Sequence, residues 1–139
     1  MNEALKGQVA LVTGASRGIG RAIALALAGQ GVTVIGTATS DAGSAGVSTV
    51  LAAFGGRGIV LDVNDRAALQ AAVDAIVVQQ GALHILVNNA GIARDTLAMR
   101  MKDADWDAVL DPNLTAVFRA SRAAMRPMGW TRRQRAAPL

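Results

Sequence analysis

Short apolar runs alternate with stretches of helical periodicity along the first ninety residues. Four runs of aliphatic and β-branched side chains predict strands at residues 8–13, 32–37, 58–63 and 83–88. Between them, helices are predicted from about Gly18 to Gln30, from about Ala42 to Phe54, and from a cap at Asp65 to about Gln80. Because no hairpin signal joins successive strands, we expect an α/β fold with a parallel sheet and right-handed crossovers.

A longer helical stretch follows, from Asp103 to about Met125. Its apolar face consists of Trp106, Val109, Leu110, Leu114, Val117, Phe118 and Ala124. Pro112 lies inside this stretch, where it lacks a backbone donor and crowds the preceding turn, so we expect a kink or a break into two helices. The periodicity ends after Pro127, and we expect residues 129–139 to form a disordered basic tail.

Composition narrows the class of protein. The 139 residues are 52% hydrophobic and 17% charged, with 15 glycines, as is typical of a compact α/β domain. The absence of cysteine excludes disulfides and thiolate metal sites. The first residues lack the apolar core of a signal peptide and no run is long enough to cross a bilayer, so we expect no membrane association and a cytoplasmic location.

Charge and histidine content argue against two further kinds of site. The net charge of +4 arises mainly from the tail, where Arg132, Arg133 and Arg135 have no acidic neighbour. The nearly neutral body predicts no nucleic-acid surface, and a solvated tail explains the three arginines. His84 is the single histidine, so we expect a structural role for it in a strand and no metal site.

A glycine-rich turn separates the first strand from the first helix, with the sequence Thr13-Gly14-Ala15-Ser16-Arg17-Gly18-Ile19-Gly20. At this position a dinucleotide pyrophosphate can meet unpaired helix N–H groups and the positive end of the helix dipole. Gly14 allows the sharp turn, Gly18 lets the backbone approach phosphate, and Gly20 permits close helix packing. A purely structural turn is the alternative, and the strand–turn–helix context favours a Rossmann-type dinucleotide site.

The end of the second strand indicates which dinucleotide fits. An NAD site usually has a carboxylate there to bind the ribose 2'-hydroxyl, but this chain has Gly36-Thr37-Ala38-Thr39-Ser40. With Arg17 and the hydroxyls of Ser16, Thr37 and Thr39 expected nearby, NADP(H) is favoured over NAD(H). The alternative is that Arg17 is a solvated loop charge.

The motifs together carry a family resemblance. Thr13-Gly14-x-x-x-Gly18-x-Gly20, then Asp62-Val63, then Asn88-Asn89-Ala90-Gly91 resembles the short-chain dehydrogenase/reductase family. The flanking sequence looks most like the 3-oxoacyl-(acyl-carrier-protein) reductases of fatty-acid synthesis, over about Leu5 to Met128. The resemblance implies a parallel sheet of order 3-2-1-4, and residues 1–128 as an incomplete dinucleotide-binding domain that stops before the catalytic half.

The resemblance also implies roles for single residues. Asp62 and Val63 would hold the adenine ring, although a helix-capping or loop role for Asp62 remains an alternative. Asn88, Asn89, Ala90 and Gly91 would line the adenosine and the nicotinamide ribose, and a structural role for one asparagine remains open. The expected cofactor site is Gly14, Ser16, Arg17, Gly18, Ile19, Gly20, Thr37, Asp62, Val63, Asn88, Asn89, Ala90 and Gly91.

The resemblance is weakest for the catalytic residues of the family, because most of them have no match in this chain. Asn113 matches the asparagine of the family's catalytic tetrad, but Pro112 directly precedes it and leaves its orientation open. The family reduces a 3-oxoacyl thioester to the 3-hydroxyacyl thioester with a serine, a tyrosine and a lysine four residues after the tyrosine. This chain has no tyrosine, and its only lysines are Lys6 and Lys102. We therefore expect a truncated chain that is inactive alone.

A second reading of the chain is a non-catalytic interaction protein. The helix near residues 113–126, which relatives use for subunit contacts, would then pair with a full-length relative or with a second copy. Cofactor binding distinguishes this alternative from a nucleotide-binding oxidoreductase.

Overall fold

A computed structural model describes residues 4–94 and 96–129 of the chain. Four parallel strands form one sheet, namely β1 (Val9–Val12), β2 (Thr33–Ala38), β3 (Arg57–Val60) and β4 (Ile85–Val87). Their order across the sheet is β3-β2-β1-β4. The predicted Rossmann-type architecture with strand order 3-2-1-4 is thus confirmed.

Five helices flank the sheet within the described residues. They are α1 (Gly18–Gly29), α2 (Asp41–Leu51), α3 (Arg66–Gln80), α4 (Asp103–Leu110) and α5 (Ala116–Met125). Short 3₁₀ turns lie at Ala52–Phe54 and Ala98–Arg100. Within this part of the chain, no helix has the length and apolar character that crossing a bilayer requires.

Alternating side chains of the strands divide the core into two layers. Ala10, Val12 and Val34 pack with Ala24 of α1 and Leu51 of α2. On the opposite face, β1 and β2 pack against α3 and α5 through Val9, Leu11, Ile35, Val73, Ile76 and Ala124. Because both faces are covered, the central strands are continuously apolar, as parallel strands in three-layer folds are.

The ends of β1 and β4 are joined by the single histidine. The Val9 N–H donates to His84 Nδ1 at 2.9 Å, and the His84 N–H donates to the Val9 carbonyl oxygen at the same distance. The imidazole therefore takes the place of a backbone acceptor at the amino end of the sheet. This is a structural role, as we expected from the sequence.

Pro112 lies in a wider turn of the helix and does not break it. Asp111–Thr115 form a π-helical turn that joins α4 to α5, and the Ala116 N–H donates to the carbonyl oxygen of Asp111. A proline inside a helix crowds the carbonyl one turn earlier, and the wider turn relieves that clash. The predicted interruption is present, but the helical path continues through it.

The apolar face predicted along residues 103–125 is only partly buried. Ala116, Ala120 and Ala124 pack against the body of the protein, whereas Trp106, Leu114 and Phe118 are 58%, 62% and 61% exposed. The small alanines let α5 approach α3 closely, so the larger side chains lie on the outer side. The predicted tail lies outside the described residues except for Gly129, where a turn ends.

Candidate functional site

A cleft of about 650 Å³ opens at the carboxyl ends of the strands. Its walls come from the segments that follow β1, β2, β3 and β4, and from Ala108 and Pro112 on the other side. Carboxyl ends of parallel strands meet at one edge of a sheet, which is where open α/β sheets bind ligands. A volume of this size lies within the range of small-molecule sites.

The glycine-rich turn is held from below by β2. Gly14 has a φ of +64° and Gly18 a φ of +59°, which favour glycine at both positions. The Gly14 N–H donates to Thr37 Oγ1 at 3.1 Å, and the Ala15 N–H donates to the Thr37 carbonyl oxygen at 2.8 Å. Thr37 lines the cleft, but its buried hydroxyl is an acceptor for the turn.

Gly20 and Asn89 give the turn its tight packing. Asn89 Nδ2 donates to the Gly14 carbonyl oxygen at 2.9 Å. A Cβ atom at Gly20 would collide with both groups, so no larger residue fits there without a shift of backbone. Asn89 therefore has a structural role, and it also lines the cleft.

Thr13 connects the turn to the end of β4. Its side chain is 1% exposed, and its Oγ1 accepts from the N–H groups of Asn89 and Ala90 at 3.0 Å each. The same hydroxyl donates to the Val87 carbonyl oxygen at 3.3 Å. The sequence predicted no role for Thr13. The only sequence signal for one is a threonine at the end of an apolar strand, directly before the glycine-rich turn.

The amino end of α1 lacks the side-chain cap that two other helices have. Ser40 accepts from the Gly43 N–H at the start of α2, and Asp65 accepts from the Ala68 N–H at the start of α3, each at 3.0 Å. Arg17 occupies the corresponding position of α1, in an extended conformation, without a side-chain cap. The first N–H groups of α1 therefore remain available to an anion in the cleft.

The ends of β2 and β3 determine the charge of the cleft. Thr39 is exposed on its wall and no acidic residue lines it at the end of β2. Asp62 follows β3, where its Oδ1 accepts from the Asn64 N–H at 2.9 Å, and Val63 is buried beside it. Asp65, and not Asp62, is the cap of α3. Arg17 and Asp62 are thus the charged residues of the described cleft wall.

Asn88 and Asn113 lie outside the cleft wall. Asn88 Nδ2 donates to Ser121 Oγ of α5 at 3.3 Å. Asn113 binds the backbone of Ile92 at both ends, because its Oδ1 accepts from the Ile92 N–H at 3.0 Å and its Nδ2 donates to the Ile92 carbonyl oxygen at 2.9 Å. Only glycine fits at position 91, because a Cβ atom there would collide with Asn113 Oδ1. The π-helical turn therefore holds Asn113 in a defined orientation.

Most of the residues that the sequence predicted for a cofactor site do meet in one place. Eleven of the thirteen predicted binding positions line the cleft, namely Gly14, Ser16, Arg17, Gly18, Ile19, Thr37, Asp62, Val63, Asn89, Ala90 and Gly91. Gly20 supports the turn from beneath, and Asn88 faces α5. Lys102, at the start of α4, is exposed and outside the cleft wall. No group of three or more potential metal ligands occurs among the described residues.

Known proteins are similar to this chain in sequence and in fold. Residues 8–137 match the model of the short chain dehydrogenase family. The chain is 53% identical to the 3-oxoacyl-(acyl-carrier-protein) reductase FabG of Escherichia coli K12 over 123 residues, 88% of this chain and 50% of that protein. It is 52% identical to the enzyme of the same name from Vibrio harveyi over 124 residues, 89% of this chain and 50% of that protein.

A solved structure described as a short-chain alcohol dehydrogenase from Sinorhizobium meliloti 1021 superimposes with a TM-score of 0.82 and 40% sequence identity, covering 89% of this chain and 50% of that one. The chain spans about half the length of the curated relatives it matches. The match over residues 8–137 agrees with the strand order and with the glycine-rich turn. The chain therefore belongs to the short chain dehydrogenase family.

Proposed function

We propose that the cleft binds NADP(H), and that the chain carries the cofactor site of an oxidoreductase of the 3-oxoacyl-(acyl-carrier-protein) reductase type. The observation that carries the proposal is the amino end of α1, which has no side-chain cap and lies beside Arg17 at the mouth of the cleft. A phosphate group there would complete the hydrogen bonding of the helix and interact favourably with its dipole.

The cleft residues fit such a cofactor. Gly18 has a positive φ and no atom near its missing Cβ, so phosphate can approach the backbone of the turn. Arg17, with the hydroxyls of Ser16 and Thr39, binds the 2'-phosphate in this proposal. Asp62 and Val63 bind the adenine, and Asn89, Ala90 and Gly91 lie along the riboses. Bound nicotinamide supplies a hydride to a ketone or accepts one from an alcohol.

The relatives indicate the reaction to which a cofactor site of this kind belongs. The FabG proteins of Escherichia coli and Vibrio harveyi are named as 3-oxoacyl-(acyl-carrier-protein) reductases, so we propose that the site is of the type used to reduce a 3-oxoacyl thioester to the 3-hydroxyacyl thioester. These 139 residues contain no tyrosine, so the tyrosine–lysine acid pair that the family resemblance implies is absent from them. We therefore propose that this chain binds the cofactor without turning over substrate.

Fluorescence titration tests the cofactor proposal. NADPH should bind the chain more tightly than NADH, because Arg17 can pair with the 2'-phosphate and no acidic side chain repels it. Arg17→Ala should weaken NADPH by about 10- to 150-fold, as expected for loss of a charge-assisted contact of about 1.5–3 kcal/mol. NADH, which lacks that phosphate, should lose much less.

Arg21→Ala is the matched control for that titration. Arg21 is also exposed on α1, but it lies one turn further along and outside the cleft wall. It should leave the affinity for NADPH within twofold of the parent chain. Equal affinities for NADPH and NADH, or equal effects of the two substitutions, would contradict the role of Arg17.

Turnover tests the second part of the proposal. With NADPH and an acetoacetyl thioester, the chain should show no oxidation of NADPH above background at 340 nm, because no phenol is available to protonate the developing alkoxide. An intact member of the family serves as the positive control. Activity within tenfold of that enzyme would show that another group in these residues supplies the proton.

A non-catalytic interaction protein is the second candidate. The exposed Leu114 and Phe118 favour it, because large apolar side chains on the outer side of a helix are common at protein interfaces. In this version the chain pairs through α5 with a full-length relative. A chain that forms such a pair but binds neither NADPH nor NADH would favour this candidate over the first.

A further inference from the structure

A second hollow lies between α1 and α2, behind the glycine-rich turn. Its volume is about 260 Å³. Ala24, Val47 and Leu51, all buried, form its floor. Arg21, Gly46 and Thr49 at its edge are exposed, so the hollow opens to solvent and a small ligand could cover its apolar floor.

A glycine of α2 leaves part of the hollow open. Gly46 lines the hollow, and a Cβ atom built on it would have no heavy atom within 4 Å. The other glycine of α2 differs, since a Cβ atom at Gly43 would lie 2.9 Å from Ala38 Cβ. Close packing therefore explains Gly43 but leaves the space above Gly46 unexplained.

The rim of the hollow is positively charged. Arg21 lines it, and none of the other lining residues is charged. The first turn of α1 carries no acidic residue that could neutralise this guanidinium. Thr49 also lines the rim, but its hydroxyl already donates to the Ala45 carbonyl oxygen at 3.0 Å. Arg21 is thus the group that would select the charge of a ligand.

We propose that this hollow is a binding site for a small carboxylate with an apolar body, adjacent to the nucleotide cleft, with which it shares Ser16. The apolar part would lie on Ala24, Val47 and Leu51, and the carboxylate would pair with Arg21. At roughly 30 Å³ for each water-sized group, the hollow holds about nine non-hydrogen atoms. Ligands of that size bind with dissociation constants in the millimolar range.

The test is residue-resolved NMR on the full chain with phenylacetate, which has about ten non-hydrogen atoms, and with neutral phenylacetamide as the matched probe. Phenylacetate should cause saturable shifts at Ala24, Val47 and Leu51, with at least threefold tighter binding than the amide. No cofactor is needed for this measurement, so failure of the NADP(H) proposal leaves its result unchanged.

Two substitutions make the result specific to the hollow. Gly46→Leu should fill the space and abolish the shifts, and Arg21→Gln, at an exposed position, should reduce phenylacetate binding to the level of the amide. Away from the hollow, the NMR spectrum of each variant should overlay that of the parent chain, which serves as the folding control. The proposal is overturned if no saturable shift is seen, if the shifts persist in Gly46→Leu, or if they fall on the cleft residues Asp62 and Ala90 instead.

Discussion

At the scale of residues, individual hydroxyl and amide side chains stabilise the candidate site. Thr13, Thr37 and Asn89 each bond a backbone group of a neighbouring segment, and the glycine-rich turn lies between them. These side chains shape the cleft, while the exposed Ser16, Arg17 and Thr39 face its interior. Polar residues near a ligand site thus divide into those that build the wall and those that remain available for contact.

Replacing Thr13 with valine should destabilise the fold. Valine keeps the shape, but the N–H groups of Asn89 and Ala90 would lose their common acceptor. The Asn89 N–H keeps a second acceptor, the Val87 carbonyl oxygen at 3.1 Å, so the Ala90 N–H is the donor left without a partner. We expect a loss of about 1–3 kcal/mol in the free energy of unfolding, the cost of one unpaired buried donor. Urea denaturation followed by circular dichroism measures this loss.

Thr33→Val is the matched control for Thr13→Val. Thr33 begins β2, is half-buried, and forms no side-chain hydrogen bond with the described residues. It should change the free energy of unfolding by less than about 0.5 kcal/mol. Similar losses in the two variants would show that strand packing, and not the hydroxyl of Thr13, is responsible.

At the scale of elements, local sequence and tertiary packing disagree most in α2. Its sequence, with Gly43 and Gly46, predicts a weak helix, yet the helix forms from Asp41 to Leu51 with Ser40 as its cap. Val47 and Leu51 pack beneath β2, and Ser48 Oγ accepts from the Gly58 N–H at 2.8 Å. Packing and capping therefore stabilise a helix that intrinsic propensity disfavours.

The two glycines of α2 should respond in opposite directions to alanine. Gly46→Ala should raise the free energy of unfolding by about 0.5–1 kcal/mol, because alanine favours the helix and its Cβ atom meets open space. Gly43→Ala should lower the free energy, because its Cβ atom would crowd Ala38 Cβ at 2.9 Å and Ser40 Oγ at 3.1 Å. Thermal and urea unfolding of both variants test the contrast, and stabilisation by both would contradict the packing assigned to Gly43.

At the scale of the whole molecule, the sheet has an open side. Within residues 4–94 and 96–129, β4 pairs only with β1, so one row of its backbone groups has no strand beside it. Ile85, Leu86 and Val87 are only partly buried there. An apolar edge of this kind is a template for pairing with another chain.

We therefore expect the chain to self-associate when it is studied alone. Size-exclusion chromatography at increasing concentration should show oligomers, and the amides of Ile85 and Val87 should exchange quickly with solvent at the lowest concentration. The edge then pairs with a second chain as concentration rises, and exchange slows. A monomer at every concentration with protected amides at residues 85–87 would show that the chain covers this edge itself.

The sequence by itself determined the class of fold and the position of the cleft. Apolar runs of strand length and glycine punctuation are local signals, and the topological rules for parallel sheets turn their alternation into a parallel α/β fold. The strand order 3-2-1-4 came from the family resemblance. The turn at residues 13–20 could be assigned for the same reason, since a strand, a glycine-rich turn and a helix follow one another directly. The family resemblance extended this to Asp62 and to residues 88–91, which also follow strands.

Only the tertiary structure decided which polar groups support the cleft and which face into it. Thr37 was expected near the phosphate; it lines the cleft, and its hydroxyl also accepts from the N–H of Gly14, 23 residues away in sequence. Asn88 was expected in the cleft, and it bonds Ser121 of α5. The same holds for Asn113, whose partner Ile92 is 21 residues distant. A side chain's hydrogen-bond partner depends on which segments the sheet brings together. The spacing of residues along the chain does not show which distant segments become neighbours in the fold.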